Sequence, residues 1–253
     1  MRLLFLGSLD SMTTHGRKRS RGILITLEGI EGCGKSTQAK LLADRLRSQG
    51  YLTVETREPG GTPLAEKIRA VLLDRTGEPV APETEAFLVF AARRQHVAQV
   101  IEPALARGAV VLCDRFSDST LAYQGYGRGL DLAMLQRLNR LATHTVAPDL
   151  TLLFDLPVAT GLARRRTTVE LNRLDRESLA FHNRVRSGFL DLARRAPTRV
   201  TVISAQPSKE AVARAVDRAV APLLAKHSRV DASTAPALHP SPSRARQARH
   251  AVR

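Results

Sequence analysis

Long apolar runs are missing from this 253-residue chain. Nowhere do about 18 apolar residues follow one another, so no spanning helix is expected. Cysteine is scarce: Cys33 and Cys113 are the two. They cannot build a disulfide framework, and a reduced, cytoplasmic setting is the simple expectation. A redox switch at either would need a lowered thiol pKa. Acidic residues are outnumbered, 24 against 39 basic ones, for a net charge of +15. The excess sits largely at the two ends. Arg2, Arg17, Lys18, Arg19 and Arg21 face one acid, Asp10, in residues 1–21; Lys226, Arg229, Arg244, Arg246, Arg249 and Arg253 face Asp231 in residues 226–253. The second segment is rich in Ala, Pro, Ser and Arg and has almost no large apolar residue, a composition that predicts a disordered basic tail. Weak, non-specific contact with nucleic acid is the most such tails imply. The opening MRLLFLGSL is shorter than a signal-peptide core and no clear cleavage site follows, so residues 1–21 read as a disordered basic extension, with Met12 an alternative start.

Between the ends, 43% hydrophobic and 25% charged residues describe a folded protein. Apolar, β-branched runs at 22–28, 51–57, 109–114, 149–157 and 199–205 predict five strands. Helical periodicity marks 35–50, 62–74, 82–108, 130–143, 158–195 (with an arginine-rich interruption) and 208–225. Thr62 is placed as an N-cap with Pro63 at the first helical position. Pro103 is expected to kink or divide the 82–108 helix. Alternating strands and helices predict an α/β fold, a five-stranded parallel, doubly wound sheet. With no internal repeat and no linker, residues 22–225 form one domain.

One short stretch carries the chemistry. Gly29, Ile30, Glu31, Gly32, Cys33, Gly34, Lys35 and Ser36, followed by Thr37, match the phosphate-loop spacing G-x-x-x-x-G-K-[ST] between a strand and a helix. Glycines let backbone N–H groups turn inward as an anion cradle. The following helix adds its positive N-terminal end. Lys35 can reach β- and γ-phosphates, and the Ser36 hydroxyl can ligate Mg²⁺. The stretch therefore predicts a nucleoside triphosphate site and makes the fold one of the P-loop NTPase kind.

In a doubly wound sheet, ligands bind beyond the carboxyl ends of the strands. Those ends here are the phosphate loop, Arg57 to Thr62, Asp114-Arg115-Phe116, and Asp155. Asp114 is placed to hold Mg²⁺ directly or through water, and Arg115 to clamp an acceptor phosphate bidentately. Glu31, acidic inside a phosphate loop, makes sense if it points to the acceptor side. Phosphoryl transfer asks mainly for positioning and positive charge. A cluster at 163–176 with Arg164, Arg165, Arg166, Arg173 and Arg176 is expected to act as a lid.

The stretches LEGIEGCGKST, TREPGGTPLAEKIR, EAFLVFAARRQHVAQVIEPALARG, VVLCDRFSDSTLAYQGYGRGL, APDLTLLFDLP and NRLDRESLAFHNRVRSGFLDLA run in order over about residues 22–222. The chain in this respect resembles the thymidylate kinase family. EPGGT and DRFSDSTLAYQG are far more specific than the phosphate loop. The resemblance implies transfer of phosphate from Mg-ATP to dTMP, and a homodimer. It implies that residues 29–37 bind ATP, that Arg115 grips the dTMP phosphate, and that Asp114 and Glu58 order the metal, water and acceptor side. It places Ser119, Thr120, Tyr123 and Gln124 around base and sugar, Tyr123 against the deoxyribose 2′ position. Arg164, Arg166 and Arg173 are the lid candidates for catalysis. No arginine stands among the loop's variable positions, as in the bacterial subtype. The family pairs a base-stacking aromatic with an arginine four residues on. Phe90 with Arg94 keeps the aromatic and is the expected base-reading pair; Val89 with Arg93 is the other register.

Overall fold

A computed structural model describes residues 21–75, 77–144, 146–167 and 171–227. The basic extension, apart from residue 21, and the tail beyond 227 lie outside the described residues, as do Met12 and positions 168–170 of the proposed lid.

Five parallel strands form one sheet in the order β2-β3-β1-β4-β5. They are β1 (Ile23–Glu28), β2 (Thr53–Arg57), β3 (Val110–Asp114), β4 (Leu150–Asp155) and β5 (Val200–Ser204). All five stand where the apolar runs predict them. Both faces are covered, as a parallel sheet requires. Ile23, Ile25 and Leu27 of β1 pack with α1 (Lys35–Ser48), α8 (Leu179–Arg195) and α9 (Lys209–Leu224). Leu24, pointing the other way, joins Val111, Cys113, Val97, Ile101 and Leu105. Leu27 pairs with Asp114, and Asp114 with Arg57, so these strand tips end level. Strand order reverses between β1 and β3, which puts the ligand crevice there.

Helix α1 ends where Gly50, at φ 82°, leaves it. Thr62 caps α2 (Pro63–Leu73) by accepting the Ala65 N–H at 3.2 Å. Helix α3 (Pro82–His96) runs on through a π-helical turn, Val97–Ile101, into α4 (Glu102–Ala106). Pro103 clashes with a carbonyl four residues back in a regular helix; the wider turn before it, closed by Glu102 N–H to Val97 O, accommodates this without a break. The sequence pattern offers no element between 114 and 130. The structure has one: α5 (Ser117–Thr120), continuing as a π-helical segment, Leu121–Gly127. Beyond it lie α6 (Leu132–Thr143), α7 (Val158–Arg166) and a short 3₁₀ turn, Leu174–Arg176.

Candidate active site

The strand tips open into one cavity of about 850 Å³. At one end the chain curls from β1 into α1. Gly32 and Gly34 take φ of 70° and 88°, which only glycine holds without strain. A Cβ on Gly32 would also lie 2.0 Å from the carbonyl oxygen of Gly161 on α7. Lys35 lies across the loop, its Nζ donating to the carbonyls of Gly29 (3.0 Å) and Ile30 (2.8 Å) and lying 3.4 Å from Cys33 Sγ. Ser36 Oγ donates to Asp114 Oδ2 at 2.6 Å. Glu31, Gly32, Cys33, Gly34, Lys35, Ser36 and Thr37 all line the cavity, while Gly29 and Ile30 support it from behind.

Arg115 stands at the centre. Its backbone takes φ 71°, and its N–H bonds to Leu27 O at 3.0 Å. Positive φ costs a non-glycine residue about 1–3 kcal/mol and persists where surroundings enforce it. Here Glu28 does so. Its buried carboxylate accepts the N–H groups of Phe116 (2.8 Å) and Ser119 (3.3 Å) and the Ser119 hydroxyl (2.5 Å). Burial, then the neighbouring Asp118, push the Glu28 pKa up to about 7. The Arg115 guanidinium donates to Gly29 O (3.0 Å), Ser119 Oγ (3.1 Å), Tyr123 Oη (3.1 Å) and Glu31 Oε1 (3.1 Å). Burial opposes its charge, but the carboxylates of Glu31 and Asp114 outweigh that and keep it cationic. Burial also works against an ionised Glu31; the ring of His182, then Arg115 and Lys35, hold it well below the usual carboxylate range. His182 Nδ1 stands 3.6 Å from Glu31 Oε2, a close ring rather than a formed hydrogen bond. Burial pushes the Tyr123 phenol up, so it stays neutral and donates to Glu31 at 2.5 Å.

The far wall is built by α3 and the α5 region. Arg93, 1% exposed, lies between the rings of Phe90 (5.6 Å) and Phe116 (5.1 Å). It donates to Glu58 Oε2 (2.7 Å), Thr120 Oγ1 (2.9 Å) and Asn139 Oδ1 (3.0 Å). Glu58's other oxygen is 3.0 Å from His96 Nδ1, so both are engaged inside the wall. Gln124 and Val89 complete it.

Most expected site residues thus share the cavity: Glu58, Asp114, Arg115, Ser119, Thr120, Tyr123, Gln124 and Arg164 as well as the loop. Four stand elsewhere. Phe90 packs toward α6 with Ala86, Leu135 and Ala142, and Arg94 bonds to Ala142 O (3.2 Å) and Glu102 (3.4 Å). The register in the cavity wall is Val89 with Arg93, one helix position earlier. Arg166 is not in the wall. Arg173 turns away to Leu72 O (3.0 Å) and Glu85 (2.9 Å).

The sequence places Arg57 at a strand tip without giving it a role and offers no sign of Arg69; both reach the cavity. Burial, followed by Arg57, brings the Arg69 pKa down to about 10. Position was the clue for Arg57, which ends β2; Arg69 lies in the next helix. Arg165, one of three consecutive arginines, lines the cavity while paired with Asp175 at 2.9 Å.

A family profile described as thymidylate kinase matches residues 27–216. A thymidylate kinase of Geobacter sulfurreducens is 57% identical over 201 residues, 77% of this chain and 94% of that protein. One from Pseudomonas putida is 55% identical, over 78% and 93% of the two chains. The crystal structure of thymidylate kinase from Ehrlichia chaffeensis superposes with a TM-score of 0.65 at 36% identity, covering 78% of this chain and 98% of that one.

Proposed function

This chain belongs to the thymidylate kinase family, and from that premise we propose how its residues carry a phosphoryl group from ATP to dTMP. The reaction gives dTDP and ADP. The observation that carries the residue assignment is the two-ended cavity: a phosphate loop at one end, the Arg93 wall at the other, and Arg115 between them.

The loop N–H groups and the α1 N-terminus hold the ATP phosphates, and Lys35 exchanges its two loop carbonyls for phosphate oxygens. Arg115 holds the dTMP phosphate, with Arg69 and Arg57 adding positive charge beside it. An oxygen of that phosphate attacks the γ-phosphorus in line, the bond to the β-phosphate oxygen breaks, and ADP leaves. The acceptor is already an anion, so no general base is required. Arg164 and Arg165 supply charge from the lid side. Glu31 and Tyr123 pack the sugar, with Tyr123 against the 2′ position. Arg93 and Gln124 face the base, in place of the Phe90/Arg94 register.

The donor set suits Mg²⁺. Ser36 and Asp114 present hard oxygens 2.6 Å apart, and among the described residues no cluster of three or more His, Cys, Asp or Glu gathers as a metal cage. That fits an ion held by one or two protein oxygens and by phosphates, whose charge it offsets when bound.

Exposed Leu64, Val71, Phe87 and Leu141 on α2, α3 and α6 support a homodimer through these helices. Residues 22–225 act as one catalytic unit. No helix among the described residues is long and apolar enough to cross a membrane, in keeping with a cytoplasmic enzyme.

The test is a kinetic split. Arg115→Ala is expected to raise the KM for dTMP while leaving that for ATP near its original value. Lys35→Ala is expected to abolish kcat. Equal effects of Arg115→Ala on both substrates would contradict the two-ended assignment.

A further inference from the structure

Glu85, in the first turn of α3, is fully buried and absent from the cavity wall. Its oxygens accept Gln124 Nε2 (2.7 Å), Arg128 Nη2 (3.0 Å) and Arg173 Nη2 (2.9 Å). A buried carboxylate with three donors from two other segments is more than a helix cap. We propose that Glu85 is a positioning residue that sets which pyrimidine the cavity accepts, by fixing the orientation of the Gln124 amide.

Donor and acceptor chemistry decides which end of the Gln124 amide is left for a ligand. An ionised carboxylate only accepts. Two arginines hold Glu85 ionised; burial opposes its charge, but Arg128 and Gln124 outweigh it and bring its pKa down. The Gln124 group facing Glu85 must therefore be the NH₂ end. Its oxygen is left as the acceptor for a ligand, in a side chain that lines the cavity beside Val89, Arg93 and Thr120. A free glutamine amide can rotate by half a turn and offer either end. This one cannot, because the flip would set an amide oxygen against a buried carboxylate.

A fixed acceptor discriminates between bases. Thymine and uracil carry N3–H, a donor. Cytosine carries a lone pair at N3, and the two acceptors would face each other at a glutamine that is itself buried. Sites built around a buried hydrogen bond reject a mismatched analogue by up to about 10⁵-fold. Glu85 therefore contributes to selection of dTMP over dCMP and not over dUMP. The inference rests on the dTMP-kinase reading above.

The experiment compares kcat/KM for dTMP, dUMP and dCMP with Mg-ATP in the full-length protein, Glu85→Gln, Gln124→Met and the double variant. Glu85→Gln allows the amide to turn. It is expected to lower the dTMP/dCMP ratio by about tenfold or more and to leave dTMP/dUMP unchanged. In the Gln124→Met background, Glu85→Gln is expected to add no further loss of ratio. Equal losses for all three acceptors, or a further fall in ratio in the double variant, would overturn the proposal and make Glu85 a structural anchor only. The wild-type protein gives a readout that needs no variant. The Gln124 side-chain NH₂ protons are expected to exchange slowly with solvent, with and without dTMP; exchange as fast as that of a surface glutamine would overturn it. A wild type that ignores dTMP in favour of a purine monophosphate would instead refute the family-based reading of the acceptor.

Discussion

Replacing Glu58 by alanine strands a guanidinium in the interior. Arg93 is 1% exposed and Glu58 3%, and their atoms meet at 2.7 Å. Arg47 and Glu55 meet at the same 2.7 Å, but with side chains 45% and 36% exposed. The two pairs differ in burial, not in length, and burial decides the outcome. Removing one partner of a buried pair costs about 3–5 kcal/mol, because the other charge is left without compensation. Removing one partner of an exposed pair costs about 0–1 kcal/mol. Two considerations bear on the buried case. Thr120 and Asn139 still accept from Arg93 and soften the loss, while His96 Nδ1 loses its partner and adds to it. We expect Glu58→Ala to lose about 3–5 kcal/mol, or roughly 6–20 °C in Tm for a domain of this size. Glu55→Ala is the control. The chain has no tryptophan, so urea unfolding is followed by far-UV circular dichroism. Burial opposes ionisation of Glu58, yet Arg93 and His96 outweigh it and lower its pKa. Its contribution is therefore whole above the ordinary carboxylate range and lost as pH falls through the lower folded value, so wild type and variant converge in acid. Equal losses for the two variants, or no convergence in acid, would show that burial does not set the strength of the Glu58–Arg93 pair.

Three further outcomes follow from the same geometry. Glu28, whose pKa is about 7 in the folded protein, retains a proton that the unfolded chain releases; stability should fall as pH rises from about 4.5 to 7, and Glu28→Gln should flatten that slope in urea titrations. A Cβ on Gly161 would lie 2.5 Å from Glu31 O, so Gly161→Ala should push α7 off the phosphate loop and cut kcat/KM for ATP by about tenfold with the circular dichroism unchanged; unaltered kinetics would mean the loop yields freely. Arg93→Met should raise the KM for dTMP by about tenfold or more, while Arg94→Ala, which removes a guanidinium bonded to Ala142 O and Glu102 outside the cavity wall, should leave it within about twofold; the reverse order would restore the Phe90/Arg94 register.

What the sequence made legible is local in the chain. The phosphate loop is contiguous, its strand and helix abut it, and each strand tip is marked by the end of an apolar run. The wall around Arg93 is assembled differently. Its partners Glu58, Thr120 and Asn139 lie 35, 27 and 46 residues away. No periodicity joins them, and on α3 the 89/93 and 90/94 stripes are neighbours that differ by one residue's rotation. The helical segment from Ser117 to Gly127 was hidden for another reason. Ser, Asp and Gly have low helix propensity, and packing against α8 overrides it. The arginines of 163–176 were legible as a cluster, but not in their directions: Arg164 reaches the cavity, whereas Arg173 is spent on Leu72 O and Glu85.

On this reading the cavity passes phosphate from ATP to dTMP. The direct measurement is coupled ADP release with Mg-ATP and a panel of acceptors: dTMP, dUMP, UMP, dCMP, AMP, GMP, thymidine and water, with Lys35→Ala as the blank. Turnover should be fastest with dTMP, slow with the ribonucleotide UMP, and absent in the blank. ADP release with water alone, at the same rate whether or not dTMP is present, would contradict that reading.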